Sequence, residues 1–290
     1  MSSIAGIAII FIMVFGGYFL AGGKISVILK SLPFEMMIIG GAAAGSCLIT
    51  NGYEVTKHTI KDIKKAFSGR LWTENDYKDL LCLLFKLIRV SKNSPVDLEE
   101  HIDAPTTSNI FSKYPKILND QQSVRIICDT LRSASMNYDD PSQVEFLIEK
   151  RIQKLSEDRM HSTHALQSLA DALPALGIVA AVLGVIKTMS SIDQPPEVLG
   201  KMIAGALVGT FLGVFLAYGF VAPLAARLHS ISKDDLHFYH IIKDVLIANL
   251  HNHPANICIE VGRQNIPESF QCSYDDLERT LRTSSHSARS

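Results

Sequence analysis

The sequence lacks the features that would mark a disulfide-bonded, metal-binding or catalytic protein. Its five cysteines, Cys47, Cys82, Cys128, Cys258 and Cys272, are odd in number and far apart. No CxxC pair or zinc spacing occurs among them, so they read as free thiols in a reducing compartment. There is no phosphate-cradling P-loop, no GxSxG elbow and no paired catalytic constellation, and an enzyme is not indicated. His161 with His164, and His251 with His253, lie close in sequence, but a pair of histidines without further ligands reads as exposed polar surface, and neither metal nor cofactor is expected. A dominant charge is missing too. With 28 Lys+Arg against 29 Asp+Glu and no long basic block, nothing supports a nucleic-acid partner. At the N-terminus, the basic n-region and the small-residue cleavage site of a signal peptide are both lacking. A second apolar run follows soon after the first, so the first run reads as a retained anchor.

What is there is apolar sequence gathered into four blocks with charged sequence between them. That clustering argues for a membrane protein over a soluble core. The blocks are Ile4 to about Leu20, Met36 to about Thr50, Ala172 to about Met189 and Met202 to Ala225. A crossing helix needs about 20 mostly apolar residues. The first and fourth blocks come closest; the second, with Pro33 and Glu35 at its mouth, is the shortest and draws on interfacial residues at its ends. All four are expected to be helices, because unpaired backbone groups in lipid cost several kcal/mol each. The fold class is therefore an all-α integral membrane protein, with four transmembrane helices and a helical cytoplasmic domain.

The chain divides into residues 1–50 with spans one and two, 51–167 as a polar insert, 168–226 with spans three and four, and a tail over 227–290. Basic residues follow span two (Lys57, Lys61, Lys64, Lys65, Arg70) and span four (Arg227, Lys233). The two short hairpins hold Lys24, Lys30, Lys187 and Lys201. This bias places the insert, the tail and the N-terminus in the cytoplasm. Within the insert, Tyr77, Leu80, Leu81, Leu84, Leu87 and Ile88 recur at helical spacing over Glu74–Val90. Ser123–Met136 and Val144–Leu155 show similar patterns, and Asp140-Pro141 reads as a helix start. The terminal TSSHSARS reads as disordered.

Gly205, Gly209, Gly213 and Ala217 recur every four residues in span four, the spacing that lets helices approach closely. Pro174 and Pro223 lie inside spans three and four, as structural kinks or as hinges that move when a neighbouring group changes charge. Thr210 and Tyr218 supply hydroxyls in the interior. The cores of spans three and four hold no Asp, Glu, His, Lys or Arg, whereas a transporter keeps an ionisable group at membrane depth. If this chain conducts protons, the titrating group is expected to come from a partner.

At these residues the sequence resembles a known family. ALPALGIVAAVLGVIKTM (172–189) and MIAGALVGTFLGVFLAYGFVAPL (202–224) are similar to the two most characteristic blocks of the MotA family. VFGGYFLAGGKISVIL near the start and SKYPKILND around Tyr114-Pro115 resemble it as well, as does the order of short hairpin, long insert and short hairpin. The resemblance implies a flagellar stator subunit of the bacterial inner membrane. In that family five such subunits surround two copies of a MotB-like partner, whose single span carries the proton-binding aspartate. By the same resemblance Pro174 and Pro223 couple protonation to movement, and Thr210 lines the channel. Ala181 falls where sodium-driven relatives place a hydroxyl residue, which implies protons as the transported ion. The family's rotor-facing charges, which meet the switch protein FliG, fall at Lys92 and Glu99, with Arg89 one turn away able to stand in for Lys92. An alternative is an energising subunit of an envelope transport complex, similar to ExbB or TolQ. Those proteins have three spans, and four spans with the main insert after the second favour the motor subunit.

Overall fold

The computed structural model describes residues 2–135 and 140–286. Among them the regular structure is helical. In chain order the helices are α1 (Ser2–Leu20), α2 (Ile25–Ser68), α3 (Glu74–Asn93), α4 (Pro95–Asp103), α5 (Pro115–Asn119), α6 (Gln121–Ser135), α7 (Pro141–Met189), α8 (Pro196–Leu216), α9 (Ala222–Leu250), α10 (Ala255–Gln264) and α11 (Tyr274–His286). A π-helical turn, Ala217–Val221, joins α8 to α9. Four stretches are long and apolar enough to cross a membrane: Ser3–Leu20, and runs within Ile25–Ser68, Pro141–Met189 and Pro196–Leu250. The chain is a multi-pass membrane protein.

The helices are longer than the apolar blocks. α2 begins at Ile25 and not near Met36, and passes through Pro33. Its true interruption is Gly52, at φ +72° and ψ 172°, a backbone conformation that glycine adopts at no steric cost. Asp140 starts α7 as expected: its side chain accepts from the Ser142 N–H at 2.9 Å. From there α7 runs unbroken for 49 residues, so Val144–Leu155 and the third span are parts of one helix. α11 extends into the stretch expected to be disordered, as far as His286; residues 287–290 lie outside the described residues.

The described chain forms two compact units, residues 1–69 with 159–232 and residues 70–158 with 233–290. The first unit therefore takes in residues 51–69 and 159–167 of the stretch read as insert. It holds the four spans. α1 is apolar all round and largely exposed, the pattern of a helix solvated by lipid. Its Phe11 and Phe15 pack edge-on against Phe220 and Phe215, at 5.1 and 5.5 Å between ring centroids, a favoured aromatic geometry. The core gathers Ile39 and Ala43 of α2, Leu173 and Ala180 of α7, Leu212 of α8 and Ala217.

The second unit has a dense aliphatic core. Tyr77, Leu80, Leu81, Leu84, Leu87 and Ile88 of α3 are all buried, as the helical spacing predicts. Thr73 and Asp76 form a reciprocal capping box at the start of α3, which satisfies N–H groups that the first turn leaves open. Lys116 pairs with the Asp76 carboxylate. Trp72 stacks on Phe238 at 3.8 Å. Burial pushes the Cys82 thiol up to about 11 and the Cys128 thiol to about 12, so these cysteines are inert packing residues.

Candidate functional site

α7 and α8 are antiparallel and meet through small residues. A Cβ on Gly213 would stand 2.7 Å from Gly177 Cα, one on Gly209 3.2 Å from Ala180 Cβ, and one on Gly184 2.5 Å from Ala206 Cβ. These pairings run in one register, as 177 with 213, 180 with 209 and 184 with 206. That register sets Ala181 and Thr210 at one depth, both half-buried. Pro174 falls level with about residue 216 and Pro223 beyond it, so the two prolines are offset by about 10 Å along the pair. The structure thus sets Ala181 and Thr210 at one level along the pair and holds the prolines apart.

The glycines of α8 have different neighbours. Gly213 meets the α7 backbone, whereas Gly205 and Gly209 meet side chains of α2. A Cβ at Gly205 would stand 3.0 Å from Ser31 Oγ, and one at Gly209 2.6 Å from Glu35 Oε2. Glu35 is 7 % exposed and lies about 15 Å from the start of α2. Its carboxylate is at the depth of Gly209 and Thr210. The cores of spans three and four hold no Asp, Glu, His, Lys or Arg, as expected; the ionisable group at this level comes from α2. The cause is the earlier start of α2, which carries Glu35 inward from the mouth of the span. A lone Glu flanked by apolar residues on both sides was the available signal. Gly177 and Gly184, seven residues apart on α7, were missed as well; their signal was small residues at helical spacing opposite those of span four.

Pro223 follows the π turn. The N–H of Ala222 reaches back five residues to the Ala217 carbonyl, which shifts the hydrogen-bond register just before a residue that has no N–H to give. Pro223 is exposed and lines a cavity of about 230 Å³ with Ser3, Ile7, Gly219 and Arg227. Pro174 is half-buried within continuous α7.

The three charged residues of the insert lie on α3 and α4 and are exposed. Lys92, in the last turn of α3, donates from Nζ to the His253 carbonyl. The Arg89 guanidinium lies 5.7 Å from the Phe85 ring centroid. Glu99 stands on the outer face of α4, whose start is capped by Ser94. Lys92 therefore has an intrachain task, while Arg89 is held only by its own helix in the contacts described.

The chain matches known proteins along nearly all of its sequence. Residues 4–95 match the motility protein A N-terminal family, and residues 119–240 match the MotA/TolQ/ExbB proton channel family. The chain belongs to the motility protein A family. Motility protein A of Salmonella typhimurium is 37 % identical over 93 % of this chain and 91 % of that protein. The fold is similar to that of C. jejuni MotAB, with a TM-score of 0.75 over 94 % of this chain and 98 % of that one at 17 % identity. It is also similar to the flagellar MotAB stator complex from Bacillus subtilis, with a TM-score of 0.69 over 95 % and 97 % at 19 % identity.

Proposed function

We propose that this MotA-family chain is a stator subunit of the bacterial flagellar motor. With a MotB-like partner of one span, which supplies a proton-binding aspartate, it forms a proton channel in the inner membrane and turns proton flow into torque. Five copies surround two partner chains, as the family resemblance implies, and the insert pushes on the rotor switch protein FliG. The observation that carries this reading is the match to motility protein A along 93 % of the chain, including the block that holds Pro174, Ala181, Thr210 and Pro223. The match at residues 4–95 to the motility-specific N-terminal family favours the motor over an ExbB- or TolQ-like role.

In this reading α7 and α8 wall the channel. Ala181 and Thr210 share a depth and offer one hydroxyl between them, too few oxygens to replace the shell of a sodium ion. Protons need no such cage. Pro174 and Pro223 both lie beyond the tight glycine contact toward the same end of the pair, one on each helix, where a change of charge at the partner's aspartate can bend one helix against the other. Exposed charges at Arg89 or Lys92 and at Glu99 suit a contact that forms and breaks at each step, since an exposed pair contributes only about 0–1 kcal/mol.

The test is complementation of a flagellated cell that lacks its own stator. Swimming should return only when the chain is supplied with its partner, collapse with a protonophore and ignore external sodium. Steep sodium dependence would overturn the ion assignment. No swimming, with restored energised uptake in a strain lacking ExbB or TolQ, would establish the alternative.

A further inference from the structure

We propose that Glu35 is a proton-exchanging residue of the conduction path, contributed by this chain and not by the partner. The inference deepens the stator reading and rests on it. It begins with an arrangement that packing alone does not require. On α2, Ser31 and Glu35 are four residues apart and share a face. On α8, Gly205 and Gly209 are four residues apart and receive them. A Cβ at Gly209 would stand 2.6 Å from Glu35 Oε2 and 3.2 Å from its Cδ; one at Gly205 would stand 3.0 Å from Ser31 Oγ. The glycine stripe of α8 thus has two jobs: Gly213 seats the α7 backbone, while Gly205 and Gly209 make room for polar side chains.

One carboxylate oxygen of Glu35, Oε2, is buried and left unsatisfied among the described residues, and the residue is 7 % exposed. The charged residues of the packed elements lie along the helices. Those nearest along each helix are Lys30 on α2, Asp171 and Lys187 on α7, and Glu197 and Lys201 on α8, about one to three turns from Glu35 or from the residues beside it. α1 carries no charged side chain. A carboxyl so placed is tolerable with a proton on it, or with water beside it, and costly as a bare anion. The group is therefore suited to exchange protons with water that enters the groove, and unsuited to a fixed ion pair. Its neighbours fit that task. Gly209 adjoins Thr210 and faces Ala180, which adjoins Ala181, so the carboxyl shares the depth of the residues that wall the channel.

The step balances without any electron transfer. On the side of the two short hairpins, hydronium gives a proton to the Glu35 carboxylate and leaves as water. The neutral acid then gives that proton to a water or a carboxylate on the inner side and returns to its starting charge. Ionisable residues within spans are rare because they are costly, and those that are kept mark ion pathways and proton relays.

The experiment uses vesicles holding the full-length chain with its partner and a pH-sensitive dye. Glu35→Gln should lower proton flux at least threefold at unchanged assembly, and Glu35→Asp should recover at least half of the loss. The dependence of flux on outer pH should carry an inflection in the wild type that is missing in Glu35→Gln. Independently of flux, dicyclohexylcarbodiimide, which attacks protonated carboxyls in apolar sites, should leave an N-acylurea adduct on the peptide that contains Glu35. Equal flux and equal pH profiles for wild type and Glu35→Gln would overturn the inference and leave the stator reading standing. So would Glu35→Asp as slow as Glu35→Gln, because side-chain shape and not acidity would then be required. If Glu35→Gln does not assemble, labelling of the wild type decides, and an unlabelled Glu35 peptide in a conducting complex refutes the proposal. A wild-type complex that passes no protons would overturn the stator reading and this inference together.

Discussion

Gly177 and Gly213 meet backbone to backbone across α7 and α8: a Cβ on either would come within 3.0 Å of the other's Cα. Contacts that close leave no room for adjustment by side-chain rotation, because backbone stands on both sides. Gly213→Val should therefore force the helices apart, at a cost of about 1–3 kcal/mol. The expected result is a lower unfolding temperature in detergent and less protein in the membrane. Gly200→Ala, on the same helix but with open space around it, should leave both unchanged.

Pro223→Ala gives residue 223 an N–H that can bond the Gly219 carbonyl and removes the reason for the π turn before it. Insertion should be unaffected, since the apolar run stays intact. Rotation should weaken, because the register irregularity at the end of the channel helix is lost. Pro174→Ala should act the same way in α7. Immunoblots of membranes against swimming speed separate the effects. Loss of the protein from membranes would assign the prolines to folding.

Charge reversal in the insert should stop rotation without stopping ion flow, since Arg89, Lys92 and Glu99 lie in the unit apart from the spans by sequence. The donation from Lys92 to the His253 carbonyl sharpens the choice of rotor-facing base. If Lys92 serves chiefly to hold the loop between α9 and α10, Lys92→Glu will lower thermal stability, and Arg89→Glu will be the variant rescued by a compensating reversal on the rotor. If Lys92 faces the rotor, Lys92→Glu is the variant rescued. Like charges placed across such an interface repel and misdirect approach, so reversal should exceed neutralisation in effect.

Asp76 gives a pH dependence with a definite sign. Burial works to raise its carboxyl, but the Lys116 ammonium and the Thr73 bonds outweigh it and hold the group below the usual carboxylate range. A group depressed in the folded state stabilises fully above its unfolded value, about 3.9, and loses that contribution as pH falls through the folded value. Asp76→Ala should cost on the order of 1 kcal/mol near neutrality through loss of the capping box. The gap from wild type should narrow as pH drops below about 4. Thermal unfolding of detergent-solubilised protein at several pH values measures it.

The sequence by itself determined the membrane class, the four crossings, the order of hairpins and insert, and the helical periodicity of α3. These follow from the run length of apolar residues and from their spacing, which are one-dimensional properties. It also carried enough of the family's blocks to point to the motor before any coordinates. The lengths of α2 and α7 were not legible, because polar residues outside the bilayer extend a helix without leaving an apolar signature. Glu35 illustrates what only the tertiary structure decided. In the chain it is a charged residue at the edge of a short apolar run. In the fold it lies buried, because α2 starts ten residues earlier and packs on a helix whose Gly205 and Gly209 leave space for Ser31 and the carboxyl. Which glycines seat a backbone and which admit a side chain depends on the register of three helices. That register is set by contacts between residues 22 to 36 positions apart for α7 on α8 and 174 apart for α2 on α8, and no local pattern encodes it.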